Sequence, residues 1–214
     1  MRMNLHYRNI RYFFSITFRE LWAGEIYGQE NIPPSGPCLV AANHASFLDP
    51  PFIAAACSHR EIFYFARQTL FKPGFWNFLF SRINTIPVDR DGTSDIRAIR
   101  RVLKLLQAEQ GIAIFPEGTR SPDGQLQAAQ AGVGLLACKM SVPVIPVRIF
   151  GTYGIWNRHQ SAPNIHRHAQ VVMGKPLLAE TYDPGETHPR RYLECAQRIM
   201  NAIRDLQLPS LHRV

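Results

Sequence analysis

The sequence is poor in cysteine, poor in acidic residues and free of any long apolar run. Its four cysteines, Cys38, Cys57, Cys138 and Cys195, are widely spaced and form no C-x-x-C pair. That spacing offers no zinc or redox motif and fits buried free thiols in a reducing compartment. The least charged stretch, residues 32–48, is punctuated by Pro33, Pro34, Gly36, Pro37, Asn43 and His44. It therefore lacks the ~20 consecutive apolar residues of a spanning helix. Arg8, Arg11, Arg19 and Glu20 interrupt any signal-peptide core near the N-terminus. No G-x-S-x-G elbow is present, which counts against a lipase of that fold. Gly174-Lys175 lacks the other residues of a phosphate loop. Gly132-Val133-Gly134-Leu135-Leu136-Ala137 has dinucleotide-fingerprint spacing, but no strand precedes it and no acid follows at the usual distance. It reads as close helix packing. His159, His166 and His168 read as a solvated loop, and no metal is expected.

Acid scarcity leaves a strong imbalance: 24 Lys and Arg against 16 Asp and Glu, a net charge of +8. Such a surplus points to an anionic partner, whether nucleic acid, an acidic membrane surface, an acidic carrier protein or a phosphorylated substrate. It does not choose among them. At 214 residues, 46% apolar and 19% charged, the chain reads as one ordinary globular domain.

Residues 8–23 place Ile10, Phe13, Phe14, Phe18, Leu21 and Trp22 near helical spacing, with arginines between them. That pattern fits a helix lying in a membrane interface, or one packed on the domain's own core. Beyond it, apolar strands over 38–42, 62–66, 85–88, 112–115, 142–149 and 171–173 alternate with helices. The helices are expected from Pro50 to about Cys57, from Ser94 to Gln107, over 132–139 and over 187–207. The strand over 142–149 is expected to break at Pro143 and Pro146. Alternation of this kind implies a mainly parallel sheet with helices on both faces. Ligands of such sheets bind beyond the carboxyl ends of the strands.

Two segments stand directly after such strands. In Asn43-His44-Ala45-Ser46-Phe47-Leu48-Asp49, His44 supplies an imidazole, a side-chain type suited to accepting a proton. Asp49, five positions on, can orient the ring in the manner of a triad without its enzyme nucleophile, cap the helix that follows, or do both. In Phe115-Pro116-Glu117-Gly118-Thr119-Arg120-Ser121, a glycine turn, hydroxyls and Arg120 make a good phosphate cradle. Glu117 would repel phosphate; it suits a substrate hydroxyl, or the pinning of an arginine or of the turn. Arg90, at the end of its own strand, can reach the same edge. Either arginine taken alone is equally a surface ion pair. A base for an alcohol beside a cradle for an anion points to acyl transfer onto a phosphate-bearing alcohol.

Four segments, in order, resemble the motifs of the glycerolipid acyltransferase family: Asn43-His44 through Asp49, Ile86–Arg90, Phe115–Ser121 and Val142–Val147. The similarity runs from about Gly28 to Thr152 and is nearest the bacterial 1-acylglycerol-3-phosphate type. The resemblance implies that His44 is the base and Asp49 its partner. It assigns Arg90, Glu117, Gly118, Thr119 and Arg120 to the acceptor's phosphate and glycerol region. It implies acyl-CoA or acyl carrier protein as donor and a lysophospholipid as acceptor, with no cofactor, no covalent acyl-enzyme and no nucleic acid. The expected organisation is an amphipathic, membrane-associated segment over 1–27 and an acyltransferase domain over 28–214. The expected location is cytoplasmic, peripheral on the inner face of the cell membrane and against its anionic surface. Two departures stand out. Ala128-Ala129-Gln130-Ala131 lacks the basic residues usual before the glycine matching Gly132, and Asn84 replaces a usual glycine. The first departure keeps other acceptors in view, such as a lyso-ornithine lipid, glycerol 3-phosphate or another lysolipid. The charge surplus alone would also fit a non-catalytic basic module binding anionic lipid or nucleic acid.

Overall fold

A computed structural model describes residues 4–68, 83–88 and 96–209. Arg90, and Ser94 where a helix is expected to begin, lie outside the described residues. A seven-stranded sheet runs in the order β1-β7-β6-β2-β5-β3-β4. Its strands are β1 Glu25–Tyr27, β2 Cys38–Ala42, β3 Ile62–Arg67, β4 Thr85–Val88, β5 Gly111–Ile114, β6 Val144–Phe150 and β7 Gln170–Met173. All pairings are parallel except that of β6 with β7. The mainly parallel architecture expected from the sequence is thus the one observed. The helices are α1 Leu5–Trp22, α2 Asp49–Ala56, α3 Ile96–Gln107, α4 Ala131–Met140, α5 Thr152–Trp156, α6 Ala179–Tyr182 and α7 Arg191–Asp205.

Strand alternation divides the core between the two faces. Val40 and Ala42 of β2 join Phe18, Trp22 and Phe52 on one face. Leu39 and Ala41 join Val102, Leu106, Leu136 and Ile199 on the other. So α1 and α2 cover one face, and α3, α4 and α7 cover the opposite one. A Cβ on Gly134 would stand 1.9 Å from the Tyr192 carbonyl oxygen, so the glycine-spaced segment serves close packing of α4 on α7.

Helix α1 is apolar on two sides. Phe18 and Trp22 pack on Phe52 at ring-centroid distances of 4.4 and 5.5 Å. Leu5, Tyr12, Phe13 and Ile16 are exposed on the other side. The expected packing on the domain's own core is therefore observed for one stripe, while a second apolar stripe faces outward.

The break expected at Pro146 does not occur. Pro146 sits inside β6, opposite Ala41 of β2, and the ladder with β7 starts only at the next residue, Val147. A proline is tolerated there because its missing N–H falls where no ladder bond is required, while its carbonyl still accepts from the Gly174 N–H at 2.8 Å. Asn84, standing in for the usual glycine, adopts φ 53°. Asparagine is among the few side chains that tolerate that region, and its amide donates to Glu61 at 2.7 Å.

Candidate active site

The carboxyl ends of β2 and β5 are adjacent, so the two signature segments leave the sheet side by side. Two hydrogen bonds fasten them together. The Ser121 N–H donates to the His44 carbonyl at 2.7 Å. The His44 N–H donates to Glu117 Oε1 at 2.8 Å. Glu117 Oε2 accepts a third bond, from the Gln127 N–H at 3.1 Å. Both carboxylate oxygens thus hold backbone, one that of His44 and the other that of Gln127, beyond the Glu117 segment. Glu117 is only 3% exposed. Burial pushes its carboxyl up to about 7, against the lowering effect of the His44 and Gln127 N–H groups.

His44 Nδ1 lies 2.8 Å from Asp49 Oδ2. Asp49 is fully buried, whereas the His44 side chain keeps 17% of its surface exposed. The same Oδ2 accepts the N–H groups of Ala45 and Ser46, both at 2.7 Å. Those donors belong to the loop before the helix, so Asp49 opens α2 without capping it; the cap position is Leu48. The carboxylate therefore folds its own loop into a tight turn and presents an acceptor to the imidazole. Its position in the first turn of α2 also favours the negative charge. A carboxylate at Nδ1 fixes the proton on that nitrogen and leaves the Nε2 lone pair available. The ring is held flat by Phe115, whose centroid is 3.9 Å away at an interplanar angle of 17°.

Two further contacts set the loop's position. Asn43 donates its amide to the Ile149 carbonyl at 3.0 Å and accepts the Ile149 N–H at 2.7 Å. A side chain thereby adds one more rung between β2 and β6. On the far side, the Ser46 hydroxyl and the Phe47 N–H both donate to the Trp156 carbonyl, at 2.9 and 3.1 Å. Neither Asn43 nor Ser46 stood out as a positioning residue in the sequence. Both lie inside the His44 segment, but their partners are more than a hundred residues away.

In the second segment, Gly118 turns the chain at φ 72°, and its N–H closes the turn on the Phe115 carbonyl at 3.0 Å. Thr119 is exposed and Arg120 half-buried. The Arg120 guanidinium stacks 3.5 Å above the Phe47 ring, which itself leans on Trp156 at 5.1 Å. So the structure brings His44, Asp49, Glu117, Gly118, Thr119 and Arg120 to one edge of the sheet, and Arg90 lies outside the described residues. The cation-poor segment 128–131 borders the same turn: the Gln130 N–H donates to the Pro116 carbonyl at 2.8 Å, and its side chain stands against Gly118.

The chain matches the family described as Acyltransferase over residues 24–150. It is 30% identical over 185 residues to a chloroplastic 1-acyl-sn-glycerol-3-phosphate acyltransferase of Brassica napus, an alignment covering 85% of this chain and 53% of that one. It is 29% identical over 196 residues to the 1-acyl-sn-glycerol-3-phosphate acyltransferase of Pseudomonas aeruginosa, covering 86% and 70% of the two chains. The crystal structure of PlsC, the 1-acyl-sn-glycerophosphate (LPA) acyltransferase of Thermotoga maritima, superposes with a TM-score of 0.72 at 26% identity. That superposition covers 94% of this chain and 81% of the other. The chain spans about half the length of the plant relatives it matches. With the motif order, the parallel sheet and the His44–Asp49 pair at its carboxyl edge, the match over residues 24–150 establishes that this chain belongs to the acyltransferase family.

Proposed function

We propose that the protein transfers a fatty acyl chain from a thioester, acyl-CoA or acyl carrier protein, to the hydroxyl of a lysophospholipid. Lysophosphatidic acid, giving phosphatidic acid, is the acceptor the site favours. The observation that carries this reading is the 2.8 Å contact between His44 Nδ1 and a buried Asp49 that is itself tied to the backbone.

Nε2 of His44 accepts the acceptor's hydroxyl proton as its oxygen attacks the thioester carbonyl. Asp49 stabilises the imidazolium that forms, and that proton leaves with the departing thiolate. The products are an ester and a free thiol, and no acyl-enzyme intervenes. A base so positioned contributes roughly 10² to 10⁴ in rate. Arg120, with the turn at Gly118 and Thr119, binds the acceptor's phosphate, and Arg90 completes that site. Glu117 acts in acceptor binding through the backbone it holds: it sets the His44 loop against the phosphate turn.

The membrane-facing part lies within the segment 1–27, on the outward stripe of α1, and 28–214 is the acyltransferase domain. No helix among the described residues is long and apolar enough to cross a bilayer. The exposed Tyr12, Phe13 and Ile16 of α1, flanked by Arg8 and Arg19, suit shallow insertion into an anionic surface on the cytoplasmic side of the cell membrane.

One observation favours a second acceptor. The site border at residues 128–131 has no cation, and a lost charged hydrogen bond costs ~1–3 kcal/mol. A lyso-ornithine lipid, glycerol 3-phosphate or another lysolipid then competes with lysophosphatidic acid. The test is thiol release from palmitoyl-CoA and palmitoyl-acyl carrier protein, with each acceptor in turn, beside His44→Ala. Acceptor-dependent release that the variant loses supports the mechanism. Substantial turnover by His44→Ala ends it.

A further inference from the structure

Helix α3 buries Val102 and Leu106 and turns Arg97, Arg100, Arg101 and Lys104 to solvent. At 100° per residue these four fall within an arc of about 100°, over ~10 Å of axis. The helix contains no acidic residue. Arg100, Arg101 and Lys104 make no ion pair among the described residues. Together with Leu103 the four cations line a shallow surface groove. Core packing needs none of this charge, and the proposed chemistry at His44 does not use it.

We propose that this face is the docking surface for an acidic carrier protein that delivers the acyl chain as a thioester on its own prosthetic arm. The inference rests on the acyl-transfer reading above and names the side from which the donor arrives. Three observations choose a protein over the other anionic partners. First, α3 covers the face of the sheet opposite α1, so a molecule lying on a membrane through α1 turns α3 away from it. Second, among the described side chains of α3, Arg97 to Gln107, none is a large exposed apolar one. An interfacial helix needs such side chains to insert, whereas a charged face suits a charged protein partner. Third, the four cations are strung along a helix face and do not converge on one point, as a compact phosphate group would require.

The location fits delivery to His44. Helix α3 packs over β5, the strand next to β2, one spacing of ~4.8 Å away. Its C-terminal end leads through residues 108–110 into the start of β5, so its N-terminal end, with Arg97, points toward the carboxyl edge of the sheet, where the site is.

The test reverses the three side chains that form no ion pair, Arg100→Glu, Arg101→Glu and Lys104→Glu together, with the triple Gln variant as a milder companion. The kcat/KM is measured with palmitoyl-acyl carrier protein and with palmitoyl-CoA, using the same lysophosphatidic acid micelles. With the carrier-borne donor we expect a fall of about tenfold or more for Glu, and a smaller one for Gln, as lost electrostatic steering gives. With the CoA donor the change stays within about twofold, which also shows that the fold is intact. Wild-type turnover with the carrier should weaken with salt far more than turnover with CoA. An equal fall with both donors, or no fall with the carrier, overturns the proposal. So does a wild-type enzyme that uses CoA but not the carrier. If the variants lose binding to anionic phosphatidylglycerol vesicles while carrier turnover is unchanged, the face belongs to the membrane and the proposal is wrong. A wild-type protein that turns over neither donor fails the acyl-transfer reading itself, a different result from any of these.

Discussion

Glu117 grips His44 by the main chain: its Oε1 accepts the His44 N–H at 2.8 Å, while Oε2 accepts the Gln127 N–H at 3.1 Å. The carboxyl is buried, and its affinity for a proton is raised from 4.5 to about 7. Between those values the folded protein holds a proton that the unfolded chain has released, so unfolding releases one. Stability from this group is fully present below 4.5 and falls as pH rises through about 7. Wild-type protein should therefore lose more stability between pH 5 and pH 8 than Glu117→Gln does. Urea denaturation midpoints at the two pH values check this; parallel changes in both proteins would contradict it.

Asp49→Asn keeps the shape of the side chain and an oxygen for the loop N–H groups, but it removes the charge that steadies the imidazolium. A comparable change in the serine-protease triad costs about 10⁴ in kcat. For this protein we expect a fall in kcat of roughly 10² to 10⁴, the range of a positioned base, with little change in KM for the acceptor. Steady-state kinetics with a saturating donor measure it. A variant retaining more than a tenth of wild-type kcat would show that the pair does not act as a unit.

Asn43→Ala strips one rung from between β2 and β6 and leaves the buried Ile149 N–H and carbonyl without their partner. Each unsatisfied buried group costs about 1–3 kcal/mol. The chemical denaturation midpoint should drop accordingly. An unchanged midpoint would mean that neighbouring backbone closes the gap.

The two apolar sides of α1 should separate cleanly by mutation. Phe13→Asp with Ile16→Asp places charge on the outward stripe and should reduce sedimentation with anionic vesicles while leaving the unfolding midpoint nearly unchanged. Phe18→Ala opens a cavity against Phe52 and should cost about 3–5 kcal/mol of stability. Removal of residues 1–23 would confuse the two effects, because Phe18 and Trp22 belong to the core. Unaltered vesicle binding by the Phe13/Ile16 variant would end the interfacial reading.

Much of this arrangement is legible in the sequence because the relevant signals are local. The strands over 38–42 and 112–115 are short apolar runs between turn residues, and each leads into a signature segment. The placement of His44 and Glu117–Arg120 at one edge follows from parallel alternation alone. What could not be read is pairing at a distance. Glu117 shows a carboxylate in a turn, but not that its partner is the backbone of His44. Asn43 is an ordinary strand-end amide until β6 brings Ile149 beside it. Pro146 reads as a strand breaker because sequence does not reveal which of its edges lacks a neighbour. The strand Glu25–Tyr27 is too short to show an alternation and forms only because β7 offers it a partner. Asp49 resembles a helix cap because it precedes Pro50, and only the loop geometry shows that it binds backwards.

The rung that Asn43 forms with Ile149 also bears on the order in which the protein matures. His44 and Asp49 are five residues apart, yet the loop between them is held by Glu117, Ser121, Ile149 and Trp156, all at least seventy residues further along. Contacts of such separation form late, after the cost of closing long loops has been met. A chain that has made only its first half carries both members of the pair and the Ala45 and Ser46 bonds to Asp49, but none of the distant partners that seat the loop on the sheet. The loop is therefore set only when the whole sheet has closed, and a partly folded molecule lacks this arrangement.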